Sequence, residues 1–189
     1  MHLSKDVLKK LIVEKNLLTN YADIDAQLTP NGVDVRLAAI VEIVDGGRLA
    51  VSKADNLAPK LGSAVVLKGF EERLKGYELK EMHVVDSGVV KLEKLKPYLV
   101  LTCEELNTPQ NLMSHIAART SLFRLTQSLL GSTFVEAGYK GFLTFMLLPF
   151  TDSQIELGSR FAQLSFTELT GEGHYEQQKE SNYQGGKLF

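Results

Sequence analysis

The sequence has little that would suit an exported, membrane-bound or nucleic-acid-binding protein. It contains one cysteine, Cys103, so an internal disulfide is excluded, which fits a reducing compartment. No apolar run approaches the roughly 20 residues of a membrane span, and the charged start MHLSKD does not resemble a secretory signal. The formal net charge of -2 gives no general attraction to nucleic acid or to an anionic membrane. We therefore expect a soluble cytoplasmic protein that binds neither of them.

Motifs for zinc and for P-loop nucleotide binding are also missing. The chain contains no CxxC, HExxH or Walker-type pattern. Its four histidines are too scattered to predict a zinc site: His2, His83, His115 and His174. This pattern argues against zinc-dependent nucleobase deamination, in which a metal-bound water attacks the ring.

The apolar content is sufficient for one compact domain. The chain has 189 residues, of which 44% are hydrophobic. Many short strands with Gly and Asn turns, and little helix, predict a mostly β fold, a distorted antiparallel β-barrel or jelly roll. We predict a domain over 1–172, with an insertion around 49–96 that forms a hairpin or a short helix. The polar, glycine-containing segment 173–189 is expected to be a flexible arm that adds little to the core.

Helix and strand patterns are clear elsewhere. Residues 3–16 form a predicted amphipathic helix that Ser4 can cap, with one face made by Val7, Leu8, Leu11 and Ile12. Runs rich in β-branched residues, bounded by turn residues, predict strands over 33–44, 97–103 and 111–118, and a pair within 155–169 joined through Gly158.

The stretch 116–146 contains most of the candidate ligand-binding residues. A strand ending at Ala118 is followed by a predicted helix that Thr120 or Ser121 would cap, with Leu122, Leu125 and Leu129 at helical spacing and a stop at Gly131. A helix N-terminus favours an anion. Arg124 lies on the same side as the two hydroxyls. Together with Arg119 they predict a polyphosphate clamp, although each residue alone could be an ordinary cap or surface charge.

A glycine-containing turn follows at 134–141. Phe134 and Val135 precede Glu136, and Tyr139 stands between two glycines before an apolar strand over 142–148. Glycines allow the chain to reverse and a ligand to approach the main chain closely. The pattern predicts a hairpin that presents Glu136 and Tyr139 on a rigid rim. The same residues could also be a plain turn carboxylate and a hairpin packing residue.

Several motifs in order resemble the dCTP deaminase and dUTPase superfamily. They are PNGVDVRL, AxRTSLxR, VEAGYKG, GSRFAQLSF and SNYQGG, and the opening LSKDVLKKLI is similar to the first helix of the deaminase branch. The resemblance implies the dUTPase-like β fold and a homotrimer with active sites shared between subunits. It also implies a deoxynucleoside triphosphate as the small-molecule partner.

The same resemblance implies roles for individual residues. Arg119, Thr120, Ser121 and Arg124 would hold the triphosphate, and Gln163 would reach a phosphate or a metal-bound water. Asp34 would lie near the metal and its water, and Mg²⁺ would be held mainly by the substrate phosphates, with no direct protein ligand. Tyr139 would stack under the deoxyribose, and the hairpin main chain around Val135 would select the base. Tyr183 and Gln184 would close over the nucleotide, although Asn182 replaces the lysine more usual in the deaminase branch.

Two positions distinguish between the reactions of this superfamily. Met146 falls where the deaminases have a glutamate that activates water, and a thioether cannot donate or accept a proton. Glu136 falls where the dUTPases have an aspartate that orients water toward the α-phosphate. We therefore predict a Mg²⁺-dependent dUTP pyrophosphatase with Glu136, Arg124 and Gln163 as catalytic residues. A dCTP deaminase forming dUTP or dUMP, and a catalytically inactive relative that binds dUTP or dTTP, remain alternatives.

Overall fold

The computed structural model of the chain describes residues 1–178 and 183–189. Helices are few and short: α1 Lys5–Lys15, α2 Ile24–Gln27 and α3 Thr120–Thr126, with 3-10 turns at Lys53–Asp55, Glu71–Leu74 and Tyr175–Gln177. Within the described residues, no helix has the length and apolar character needed to cross a membrane.

Strands make up most of the regular structure. Their bounds are β1 Leu18–Thr19, β2 Leu28–Thr29, β3 Gly32–Asp45, β4 Lys60–Leu67, β5 Met82–Val85, β6 Val89–Leu92, β7 Tyr98–Asn107, β8 Leu112–Ala118, β9 Ser128–Gly131, β10 Phe134–Val135, β11 Lys140–Pro149, β12 Ser153–Glu156 and β13 Arg160–Glu168. The main sheet has the order β10-β8-β13-β3-β7-β11-β9, and its neighbours along this path are antiparallel. The predicted mostly β fold, a curled antiparallel sheet, is confirmed.

Strand β3 is the centre of the sheet. It pairs with β13 through its first half and with β7 and β4 through its second half, with register shifts in each pairing. Between Gly32 and Val41 every residue but Arg36 is buried, so both faces of the strand are covered. From Leu37 to Val41 the residues are all apolar, as expected for a fully buried strand, whereas Asp34 and Arg36 alternate with apolar residues over 33–37.

Helix α1 covers one end of the core. Leu8 and Ile12 are buried, whereas Val7 is exposed, so the apolar face is narrower than the sequence predicts. The predicted cap is wrong in one respect: Ser4 precedes the helix, but its side chain makes no capping hydrogen bond.

The segment 49–96 is more closely joined to the sheet than an inserted hairpin would be. Strand β4 pairs with β3 in the main sheet, and β5 pairs with β4 in parallel. Strand β6 instead pairs with β12 in a separate two-stranded sheet. Strand β4 contributes Leu61, Ala64 and Val66 to the buried core, and a short 3-10 turn forms at Glu71–Leu74.

A buried polar cluster ties α2 to β3 and β7. The carboxylate of Glu104 accepts hydrogen bonds from Arg36 Nε at 2.7 Å and from Gln27 Nε2 at 2.9 Å, and it also accepts one from the Arg36 main-chain N–H. Gln27 Nε2 donates to the Asp34 carbonyl as well. Since Glu104 is only 1% exposed, these bonds replace water around its charge.

Candidate active site

A cleft of about 600 Å³ opens beside the turn that follows β10. We call it the Glu136 cleft. Aromatic and small residues form most of its wall, and Glu136 is the single acidic side chain among the described residues that line it: Leu99, Ile116, Gly131, Ser132, Thr133, Phe134, Val135, Glu136, Tyr139, Phe142, Leu143, Thr144, Phe145, Met146, Tyr175, Gln178, Tyr183, Lys187 and Leu188. A mostly apolar cavity with a few polar groups is the usual form of a small-molecule site.

Glu136 stands at the start of a tight turn. The Tyr139 N–H donates to the Glu136 carbonyl at 3.2 Å, and Gly138 has a φ of +85°, a conformation that favours glycine. The Glu136 side chain is exposed. The predicted reversal is therefore present, but the predicted hairpin is wrong in its pairing, because β10 pairs with β8 while β11 pairs with β7 and β9.

Tyr139 is held rigidly on the cleft wall. Its hydroxyl donates to the Phe142 carbonyl at 2.5 Å, and its ring meets the Tyr175 ring edge-on with centroids 5.8 Å apart. Burial raises the pKa of the Tyr139 hydroxyl well above its ordinary value. Because the hydroxyl is neutral and already bonded, the side chain can offer a ligand its ring but no proton transfer at neutral pH.

Met146 lies on the cleft wall opposite Gly131 in the β11–β9 ladder. Its side chain is 40% exposed, whereas the next residue, Leu147, is completely buried in the core. The alternation of the strand thus directs residue 146 toward the cleft. Residue 146, where the resemblance predicts the deaminase glutamate, thus lines the cavity and carries a thioether.

The chain terminus forms part of the same cleft. Tyr183 and Leu188 line it, and Gln184 braces the turn, accepting from the Lys140 N–H at 3.1 Å and donating to the Gly138 carbonyl at 3.2 Å. The expectation that this segment adds little to the core is wrong for Leu188, which is 5% exposed and packs in a core cluster. Asn182 lies outside the described residues.

The predicted phosphate-binding residues gather at the end of β8. Arg119 precedes α3, and its Nε lies 2.8 Å from Asp34 Oδ2. Arg160 Nη1 lies 3.5 Å from the same oxygen. Burial raises the pKa of Asp34 above its ordinary value, although the two guanidinium groups and Gln163 act in the opposite direction. The Gln163 amide donates to the Thr29 hydroxyl at 2.8 Å.

Helix α3 differs from its prediction at both ends. The residue at the cap position is Arg119, whose side chain makes no capping bond, instead of Thr120 or Ser121. The helix ends at Thr126, before Gln127 in the left-handed conformation, and 128–131 forms β9, so the predicted stop at Gly131 is wrong. The predicted apolar face of the helix is wrong, because β9 forms where the last turn of the helix was expected. Only Leu122 of its three leucines is buried, and the other two are exposed: Leu125 and Leu129.

The single chain does not bring all predicted site residues together. Val135, Glu136, Tyr139 and Tyr183 line the Glu136 cleft. The others do not: Asp34, Arg119, Thr120, Ser121, Arg124, Gln163 and Gln184. Ile116 lines the cleft, and Arg119 follows it by three residues. Three residues of an extended strand span about 10 Å, so Arg119 lies about that far from this part of the cleft wall.

Sequence reasoning missed Tyr175 and Arg160. The Tyr175 N–H donates to the Ala137 carbonyl at 3.0 Å, its ring packs on Tyr139, and its hydroxyl accepts from the Tyr183 N–H at 3.2 Å. The polar segment around Tyr175 gave no signal of these contacts. Arg160 lies within the motif GSRFAQLSF, so that motif could have suggested it.

Cys103 is unsuited to nucleophilic chemistry. It is completely buried on β7, and burial raises the pKa of its thiol to about 12. A thiol must ionise and be accessible to react, and this one does neither near neutral pH.

The curled antiparallel sheet is a fold that is also found in a solved structure. The crystal structure of 2'-deoxycytidine 5'-triphosphate deaminase from Agrobacterium tumefaciens superposes with a TM-score of 0.56 at 21% identity, over 87% of this chain and 47% of that chain. The chain thus spans about half the length of that protein, and the likeness concerns the fold alone.

The sequence comparisons give the family. A family model described as dCTP deaminase-like matches residues 2–169, so the chain belongs to the dCTP deaminase-like family. A dCTP deaminase of Thermococcus kodakarensis is 34% identical over 144 residues, covering 68% of this chain and 90% of that protein. A probable deoxyuridine 5'-triphosphate nucleotidohydrolase of Methanosarcina acetivorans is 28% identical over 173 residues, covering 90% of both.

Proposed function

We propose that this protein hydrolyses dUTP to dUMP and pyrophosphate. The observation that carries the proposal is the lining of the Glu136 cleft, where a carboxylate stands at the turn and a thioether occupies the wall at Met146. Water activation at phosphorus needs one positioned acceptor, which Glu136 can supply. Deamination of the base would need a second group that exchanges protons at the ring, and Met146 cannot do this.

In this mechanism the nucleotide lies in the Glu136 cleft with its deoxyribose against the Tyr139 ring. Glu136 accepts a hydrogen bond from a water molecule, and the oxygen of that water attacks the α-phosphorus. The bond from this phosphorus to the oxygen bridging to the β-phosphate breaks, so pyrophosphate leaves and the water proton passes to Glu136. The phosphates are held by Arg119, Thr120, Ser121 and Arg124. A phosphate or a water is contacted by Gln163.

Magnesium is proposed to arrive with the substrate. No group of three or more His, Cys, Asp or Glu among the described residues is placed to hold a metal ion alone. The exposed Glu136 carboxylate in the cleft fits the hydration shell of an ion carried by phosphates, since Mg²⁺ usually keeps several waters. Bound there, the ion would neutralise charge on the leaving pyrophosphate.

We also propose that a second copy of the chain completes the site. The clamp residues do not line the cleft of their own chain, and the surface beside them is apolar. Four large side chains there are 49–81% exposed: Phe123, Leu125, Leu129 and Phe150. Exposed apolar patches of this kind commonly mark protein–protein interfaces. A homotrimer that shares its active sites would bring the clamp of one subunit to the cleft of another.

A pyrophosphate-release assay with dUTP and magnesium tests the proposal. Turnover is expected for the wild-type chain, and Glu136→Gln should lower kcat by a factor on the order of 100 or more, because the amide cannot accept the proton. Glu172→Gln, at another exposed glutamate, is the matched control and should leave the rate unchanged. Absence of turnover between pH 6 and 10 would remove the proposal.

A dCTP deaminase is the second candidate, because the Thermococcus kodakarensis relative carries that name. Ammonia release from dCTP by the wild-type chain would support it. Tight binding of dUTP or dTTP with no product in either assay would instead indicate an inactive binding protein.

A further inference from the structure

The Asp34 carboxylate is enclosed by arginine side chains. It is 2% exposed, and its Oδ2 lies 2.8 Å from Arg119 Nε and 3.5 Å from Arg160 Nη1. Its Oδ1 is also buried and has no hydrogen-bond partner within residues 1–178 and 183–189. A buried carboxylate is costly unless it is paired, so the contact with Arg119 is the main compensation for this charge.

Arg119 is fixed by three contacts that leave most of its donors free. Its main-chain N–H donates to the Phe161 carbonyl at 3.0 Å, its Nε meets Asp34, and its Nη1 donates to the Arg160 carbonyl at 3.0 Å. A guanidinium has five N–H donors, and the side-chain contacts use two of them. The Arg119 side chain is 29% exposed, so the remaining donors can reach a ligand at the surface. The side chain is thus held in place before any ligand binds.

The charge around Asp34 favours an anion over a cation. One carboxylate and the two guanidinium groups of Arg119 and Arg160 sum to a net charge of +1. A divalent cation would be repelled by that balance, whereas a phosphate would be attracted. Gln163, opposite Asp34 in the β13–β3 ladder, directs its amide to Thr29. These contacts favour a role for Asp34 different from the outer-shell metal contact that the resemblance implies.

We infer that Asp34 is a positioning residue, which binds Arg119 Nε and so directs the free face of the guanidinium toward the substrate triphosphate. This inference rests on the proposed function, because it takes the triphosphate as the ligand of Arg119. An arginine already held in one rotamer loses less side-chain entropy on binding than a free one.

A double-mutant cycle tests the contact. Binding of inorganic tripolyphosphate is measured by calorimetry without magnesium for the wild type, Asp34→Asn, Arg119→Gln and the double variant. Asp34→Asn should weaken binding about tenfold, and in the double variant it should add nothing to the effect of Arg119→Gln. With dUTP, Asp34→Asn should raise KM by a similar factor and leave kcat within about twofold. Additive effects, or unchanged binding, would overturn the inference.

A magnesium titration separates the two roles of Asp34. If Asp34 positions Arg119, the magnesium concentration that gives half-maximal dUTP turnover stays unchanged in Asp34→Asn; an increase would favour the metal role and overturn the inference. The control is Asp25→Asn, the same change in a surface pair with Lys9. It should behave as wild type in both assays.

Misfolding of a variant and failure of the proposed function are each distinguished from failure of the inference. If Asp34→Asn does not fold, as judged by thermal unfolding, Arg119→Lys tests the same contact, because it keeps the charge and loses the Nε–H. Wild-type tripolyphosphate affinity in that variant would overturn the inference. If the wild-type protein neither binds tripolyphosphate nor hydrolyses dUTP, the proposed function fails as well. Normal turnover with no Asp34 effect removes the inference alone.

Discussion

At the scale of single residues, the chemistry of the Glu136 cleft depends on which side chain a strand directs inward. Along β11 five consecutive residues, 142–146, line the cavity, but Met146 is the most exposed of them and Leu147 belongs to the core. A substitution at Met146 therefore changes the wall of the cavity without changing the core. Glu104, in contrast, is buried and does not line the cleft, so a substitution there is expected to change stability.

Met146→Glu would place a carboxylate in the cleft, beside Gly131. We expect this variant to release ammonia from dCTP, because a group able to exchange protons would then face the base position. Ammonia is measured with dCTP and magnesium, against a wild-type background without release. Leu148→Glu is the matched control, since Leu148 lies on the same side of β11 but does not line the cleft. Equal activity in both variants, or none in Met146→Glu, would contradict the expectation.

Glu104→Gln should lower the free energy of unfolding by about 3 kcal/mol. The amide keeps the shape and one acceptor oxygen, but it leaves the Arg36 charge without its partner in a largely buried setting. Urea unfolding measures the loss. Glu72→Gln removes an exposed ion pair with Lys75 and should change stability by less than about 1 kcal/mol. Similar effects for the two variants would show that the buried pair adds nothing.

At the scale of elements, the turn after β10 and the terminal segment, residues 183–189, hold each other in place. The Gly185 N–H donates to the Lys140 carbonyl at 2.8 Å, and a Cβ added at Gly141 would lie 2.5 Å from the Gly185 carbonyl carbon. Main chain therefore packs directly against main chain. Gly186, with a φ of +83°, packs its main chain against the ring of the Phe142 side chain.

Gly186→Ala should displace the terminal segment from β11. Its Cβ would meet three Phe142 ring atoms at 2.4–2.7 Å, and the left-handed conformation would add about 1–2 kcal/mol of strain. We expect faster proteolysis of the terminus and a raised KM for dUTP, because Tyr183 and Leu188 line the cleft. Gly171→Ala is the control, since a Cβ there would meet nothing within 4 Å. Equal protease sensitivity in the two variants would disprove this packing.

At the scale of the whole molecule, the main feature is that the proposed phosphate-binding residues do not line the Glu136 cleft of their own chain. The cleft and the clamp lie on different parts of one chain, and α3 exposes large apolar side chains beside the clamp. Assembly with a second copy is therefore expected to control activity as well as stability.

Leu125→Glu should weaken self-association. Leu125 is 81% exposed in the isolated chain, so the charge should not affect folding, but it would be costly to bury in an interface. Light scattering after size-exclusion chromatography gives the mass, and dUTP turnover should fall together with the assembled fraction. Leu49→Glu, at a leucine that is 93% exposed on the loop after β3, should leave the mass unchanged. A monomeric, fully active wild-type protein would contradict the shared-site proposal.

The sequence by itself determined the mostly β class, the α1 helix and the identity of the turn at Glu136, because periodicity and glycine placement are local properties. It also identified the residues in the family motifs. Tertiary structure decided the rest: that β10 pairs with β8, that β4 joins the main sheet, that Leu188 is buried and that Asp34 meets Arg119. These features depend on contacts between residues far apart in the chain, which no local pattern specifies.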